Sequence, residues 1–85
     1  MKISVVICTK NEEKNIGRCL AAAQYVADEI LVVDSFSSDN TEKISRSFPK
    51  VRFMQTDWKG FSQTKNYANS LAQYDYILSL DADEE

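Results

Sequence analysis

The sequence predicts an α/β fold of three layers, with a parallel sheet built from the order β-α-β-α-β-α-β. Three observations predict it. Short apolar runs recur four times along the 85 residues, and apolar residues at helical spacing lie between them. Polar clusters follow the first, second and fourth runs, and such alternation of strand and helix implies right-handed crossovers between parallel strands.

Ile3 to Cys8 is apolar apart from Ser4 and rich in β-branched residues, as a strand buried on both faces reads. Thr9-Lys10-Asn11-Glu12-Glu13 is a polar turn. Ile16, Cys19, Leu20 and Ala23 then fall on one helical face, with Asn11 or Asn15 as the expected cap. Glu29 to Val33 is a second buried strand, closed by Asp34. The loop Ser35 to Asn40 follows, in which Asp39 and Glu42 approximate a capping box. Ile44 and Phe48 share a helical face, and Pro49 ends that helix. Val51 to Met54 is the third strand and Trp58-Lys59-Gly60 a turn. A third helix is expected from about Phe61 to Leu71, with Phe61, Ala68, Leu71 and Ala72 facing inward. Tyr76 to Leu80 is the fourth strand, and its uncovered edge reads as part of a longer protein.

Length and composition narrow the chemistry. Eighty-five residues make at most one small domain. A net charge of -3 with scattered Lys and Arg disfavours a nucleic-acid partner. The two cysteines, Cys8 and Cys19, read as small buried hydrophobes in a reducing, cytoplasmic compartment. With no histidine, a metal must be held by oxygen, which favours Mg2+ or Mn2+. The start Met1-Lys2-Ile3-Ser4 lacks a signal-peptide layout, and no apolar stretch reaches the length of a membrane span.

The polar clusters carry the candidate site. Asp81-Ala82-Asp83 delivers two carboxylates to the end of a buried strand, an arrangement suited to a hard divalent cation with its phosphate. Ligands of open α/β sheets lie beyond the carboxyl ends of the strands, so Thr9-Lys10-Asn11-Glu12, Asp34-Ser35 and Asp81-x-Asp83 converge on one rim. Singly, each has a plainer explanation. Acidic residues at strand ends are often solvated turn residues, Asp34, Thr9 and Asn11 suit turns and caps, and Lys65 suits a solvated helix face.

Together these residues resemble glycosyltransferase family 2, which has the GT-A fold. The resemblance lies in Val5-Val6-Ile7-Cys8-Thr9-Lys10-Asn11-Glu12, in Glu29 to Thr41 and in Leu80-Asp81-Ala82-Asp83-Glu84, in the family's order. Trp58 to Asn66 is similar to the bacterial subgroup that adds glucose to the lipopolysaccharide inner core. The resemblance implies an enzyme moving a sugar from a nucleotide-diphosphate sugar, UDP-glucose as the first choice, to a glycan such as lipopolysaccharide core. It implies that residues 1–85 are the nucleotide-sugar-binding N-terminal part, working at the inner face of the cytoplasmic membrane where the acceptor is lipid-linked. Thr9, Asn11 and Glu12 would line the nucleotide pocket, Asp34 and Ser35 the base and ribose pocket, and Lys65 the base or diphosphate. Asp81 would contact the ribose or the metal, and Asp83 would bind the metal. The catalytic base is expected beyond residue 85, so the chain alone is expected to give no turnover.

Two departures stand out. Ser35 replaces a second Asp that bonds uracil in many members, which leaves the base open. Phe36 stands where glycine is usual, so a positive φ there would be adopted at a cost. Other classes fit less well. A nucleotidyltransferase or dinucleotide-binding domain expects a Gly-rich loop after the first strand, where Thr9 to Glu13 has no glycine. A receiver-type module expects carboxylates after the first and third strands rather than the second and fourth. A non-catalytic α/β module is the remaining alternative.

Overall fold

The computed structural model describes residues 2–57, 61–74 and 76–81, without the side chains of residues 61, 62, 64, 65 and 81. The Trp58-Lys59-Gly60 turn and Asp83 lie outside the described residues. The elements follow the expected order: β1 (Ile3–Thr9), α1 (Ile16–Ala23), β2 (Glu29–Asp34), α2 (Thr41–Arg46), β3 (Val51–Gln55), α3 (Phe61–Ser70) and β4 (Tyr76–Asp81).

All pairings are parallel and the strand order is β3-β2-β1-β4. The chain therefore winds outward from β1 through β2 to β3, then crosses back to place β4 on the other side of β1. That reversal creates a crevice at the carboxyl ends of β1 and β4.

Alternation along the strands separates two cores. Val5, Ile7, Ile30 and Val32 pack against Ile16, Cys19, Leu20 and Ala23 of α1, with Ile44 and Phe48 adding the α2 side. Val6, Leu31 and Val33 face the other way, onto Ala68 of α3 and onto Leu71 and Ala72 just beyond it. The three-layer architecture expected from the sequence is thus the one observed. Burying each of these Val, Leu and Ile side chains stabilises the fold by roughly 1.5–3 kcal/mol. Cys19 is buried as expected, whereas Cys8, on the thinner α3 side, is half-buried.

The helix starts differ from expectation. Asn15 occupies the N-cap of α1 and makes no side-chain cap bond, and Asn11 caps nothing in that helix. Its side-chain oxygen accepts from the Ser38 N–H at 2.8 Å instead. The capping box also does not form: Asn40 is the N-cap of α2, Asp39 accepts from the Thr41 N–H, and Glu42 pairs forward with Arg46 at 2.9 Å. Asn11 is thus drawn to the loop between β2 and α2, whereas Asp39 meets the first N–H of α2 from one residue outside the N-cap and Glu42 turns along the helix.

Candidate functional site

The strand register sets the rim. Thr9 pairs with Asp34 and Cys8 with Asp81, so the ends of β2, β1 and β4 lie level. With neighbouring strands about 4.8 Å apart, the backbones of Asp34 and Asp81 stand about 10 Å apart across β1.

Asp34 is the centre of the β1–β2 half. It is fully buried, with 0% exposure. Its Oδ1 accepts from the hydroxyls of Thr9 and Ser37, each at 2.5 Å. Its Oδ2 accepts from the Ser37 N–H at 2.7 Å and the Gln55 side-chain amide at 3.2 Å. These four bonds use the carboxylate's whole accepting capacity. Thr9, equally buried, is committed to the same carboxylate.

A lacing of hydrogen bonds joins the loop after β1 to the loop after β2. The Lys10 ammonium donates to the carbonyls of Ser35 and Phe36, at 2.9 and 3.1 Å. The Asn11 N–H donates to the Ser37 hydroxyl at 2.7 Å. The Glu12 N–H donates to the Thr41 hydroxyl at 2.9 Å, and the Glu13 N–H to Asp39 at 3.2 Å. Burial works to raise the pKa of Asp39, but bonds from the Thr41 hydroxyl and N–H and from the Glu13 N–H outweigh it and hold it below the usual range. Two residues in this lacing, Asn11 and Phe36, sit at φ 53°. For Asn that region is mildly unfavourable; for a bulky Phe it costs of order 1–2 kcal/mol. The strain expected for Phe36 is therefore present.

Beside this lacing opens a cavity of about 610 Å3, lined among the described residues by Lys10, Ser35, Phe36 and Asp57. The volume falls within the usual range for small-molecule sites. Of the site residues expected from sequence, Ser35 reaches this wall. Thr9 and Asp34 are brought together behind it, and Asn11 and Glu12 hold the adjoining loop. Asp81 ends β4 on the same rim and Lys65 lies in α3, both with side chains outside the described set. Ser37, Gln55 and Asp57 were not singled out by sequence, and Lys10 only as a member of the polar cluster after β1. A lysine beside a polar turn gave a signal for Lys10, whereas Gln55 and Asp57 join only through the β2–β3 pairing.

At the opposite end of β2 lies a second buried carboxylate, Glu29, at 4% exposure. Its Oε2 accepts from the Ser4 hydroxyl at 2.7 Å and the Gln73 N–H at 2.9 Å, while Oε1 pairs with Arg52. The Tyr74 N–H in turn donates to the Ser4 hydroxyl at 3.2 Å. This network pins the turn that leads into β4, at the end of the sheet away from the crevice.

An open parallel sheet with a topological reversal, a polar rim and a cavity beside it is an α/β architecture of the GT-A kind. The chain belongs to glycosyltransferase family 2, whose family model, Glycosyl transferase family 2, matches residues 4–85. Relatives agree. An uncharacterized glycosyltransferase of Rickettsia typhi is 38% identical over 84 residues, covering 99% of this chain and 28% of its own length. The lipopolysaccharide core biosynthesis glycosyltransferase LpsC of Rhizobium meliloti is 32% identical, covering 99% of this chain and 32% of its own length. The chain thus spans less than a third of these relatives. Among solved structures, mannosyl-3-phosphoglycerate synthase from Rubrobacter xylanophilus superposes with a TM-score of 0.85 at 24% identity, over 98% of this chain and 31% of its own. Glucosyl-3-phosphoglycerate synthase from Mycobacterium tuberculosis, solved with Mn2+, UDP and glucosyl-3-phosphoglycerate, gives 0.80 at 22% identity, over 95% of this chain and 33% of its own. At these identities the structural likeness establishes the fold.

Proposed function

We propose that this chain is the donor-binding part of a glycosyltransferase that uses a nucleotide-diphosphate sugar, UDP-glucose in the first instance, and a glycan acceptor such as lipopolysaccharide core. The observation that carries this reading is the level convergence of three strand ends on one rim, beside a cavity of ligand size. The name of LpsC supports the acceptor class, and the UDP and Mn2+ of the structural neighbour support the donor class.

The chain's own residues divide the work. Asp34 acts as an organiser: with its carboxylate saturated, it fixes Thr9 and Ser37 and so the shape of both loops. Lys10 holds the carbonyls of Ser35 and Phe36, which sets the cavity wall. Asn11 and Glu12 keep the first loop against the second. Ser35 offers a neutral polar group to the base or ribose. Lys65, on α3, brings a positive charge for the diphosphate.

The donor set at the end of β4 is all oxygen, which fits Mg2+ or Mn2+. Asp81 and Asp83 would hold the cation. When bound, it would neutralise the charge that grows on the departing diphosphate. No residue described here is assigned as the base for the acceptor hydroxyl. No helix among the described residues is long and apolar enough to cross a membrane.

Isothermal titration of UDP into the protein carrying this chain, with and without Mn2+, tests the reading. Mn2+-dependent binding that is lost in Asp83→Ala is expected. Absence of UDP binding under both conditions would overturn it.

A further inference from the structure

We propose that Phe36 is an aromatic platform for the nucleobase of the donor, one that holds the base by its face without selecting among bases. The inference rests on the donor-site reading above and deepens it.

Three observations carry it. Phe36 holds a backbone conformation, φ 53°, that glycine would adopt without strain. Strained residues persist where the surroundings over-determine them, and they cluster at ligand sites. Here the surroundings are explicit: Lys10 grips the carbonyls of Ser35 and Phe36, and Ser37 is bonded on both its N–H and its hydroxyl to Asp34. Secondly, the strain is not repaid by core packing, because Phe36 is 53% exposed. Thirdly, Phe36 belongs to the wall of the cavity, whose other described lining residues, Lys10, Ser35 and Asp57, are polar. One aromatic face among a few polar groups suits a flat heteroaromatic ring with hydrogen-bonding edges. Stacking of a base on such a face is tolerant of base identity, because every base has a π face. A platform at Phe36 would hold a base by its face where the neutral Ser35 offers no carboxylate to its edge. Among the described residues the other exposed aromatics, Tyr25, Tyr67 and Tyr76, lie in the turn after α1, on α3 and at the start of β4, and none of them lines this wall.

The test compares Phe36→Gly, Phe36→Leu and Phe36→Tyr in the protein carrying this chain. UDP and inorganic pyrophosphate are titrated in the presence of Mn2+, and Tm is recorded for each variant. Phe36→Gly should weaken UDP binding by about tenfold or more while Tm holds or rises. Pyrophosphate, which has no base, should bind all variants alike. Phe36→Leu, with apolar bulk and the same backbone demand, should lose UDP as Phe36→Gly does, and Phe36→Tyr should keep it. UDP affinity within twofold of the parent in both Phe36→Gly and Phe36→Leu would overturn the proposal. Equal loss of UDP and pyrophosphate would also overturn it, since Phe36 would then only shape the loop. A parent protein that does not bind UDP would take down the donor reading itself, whereas UDP binding that survives the substitutions takes down the platform alone.

Discussion

Strand β2 carries a buried carboxylate at each end, and the two are held by different means. Glu29, at the start, is paired with the Arg52 guanidinium and ties down the turn into β4. Asp34, at the end, is surrounded by two hydroxyls, a backbone N–H and a side-chain amide, all neutral donors. Burying an unpaired charge is expensive unless hydrogen bonds compensate it. The first end combines a backbone N–H and a hydroxyl with a partly exposed cation. The second uses dipoles, and leaves the rim without a described side-chain cation on its carboxylate. Under the function proposed above, a rim that receives a diphosphate and its metal gains from a carboxylate whose geometry is fixed locally. The far end has no such demand and serves the fold.

The largest expected effect separates these roles. Asp34→Ala removes the acceptor for four donors, and leaving buried donors unpaired costs about 1–3 kcal/mol per group. Partial rotation of the two hydroxyls toward other partners keeps the total near 3 kcal/mol. Glu29→Ala should cost about 2 kcal/mol, because half-exposed Arg52 regains water. Urea unfolding measures both. UDP titration of the folded fraction should then show binding lost in Asp34→Ala and retained within about threefold in Glu29→Ala. Loss of binding in both variants would make the two ends functionally equivalent and break the contrast.

The acid limb of stability sharpens the comparison. Burial pushes the Glu29 carboxyl up, but the Gln73 N–H, the Ser4 hydroxyl and the Arg52 guanidinium outweigh it and hold it below the usual glutamate range. As pH falls, the unfolded chain therefore takes up the proton first, so stability rises with pH through this window. The contribution is full above about pH 4.3 and is lost as pH falls through the lower folded value. Glu29→Gln should flatten that part of a stability-against-pH curve measured by urea unfolding. An unchanged acid limb would show that the carboxylate at this end is not held as described.

These two carboxylates also mark what the sequence reveals. Asp34 was legible because it closes an apolar run and opens a turn, a pattern visible within a few residues. Its saturation by Thr9, Ser37 and Gln55 was not, since Thr9 and Gln55 arrive from strands 25 and 21 residues away. Glu29 passed as the polar start of a strand. Its partners Ser4, Arg52 and Gln73 are brought to it only by the order β3-β2-β1-β4, and nothing local encodes the lateral order of parallel strands. The three layers, by contrast, follow from alternation and helical spacing, which are local signals. Asn11 and Asp39 read as helix caps because capping is the common local use of such residues. The lacing between two loops, some 26 residues apart in sequence, takes Asn11 away from the helix and shares Asp39 between the Glu13 N–H and the first N–H of α2.

The smallest expected effect asks whether the cation at Glu29 matters at all. The Arg52 side chain is 48% exposed, and its pair with Glu29 is open to solvent on that side. Exposed pairs contribute about 0–1 kcal/mol and are screened by salt. Arg52 also donates to the Leu71 carbonyl at 3.5 Å, a long contact of little strength. Arg52→Met keeps most of the apolar stem and should cost about 1 kcal/mol or less in urea unfolding, with the difference shrinking in 1 M salt. Ser4 and the Gln73 N–H would then be holding Glu29 much as hydroxyls and amides hold Asp34. A loss above about 2 kcal/mol that persists in salt would mean instead that the guanidinium is what permits this carboxylate to be buried. In that case the two ends of β2 differ in physical kind as well as in purpose, and the neutral cradle of Asp34 is a property of the rim rather than of buried carboxylates in this fold.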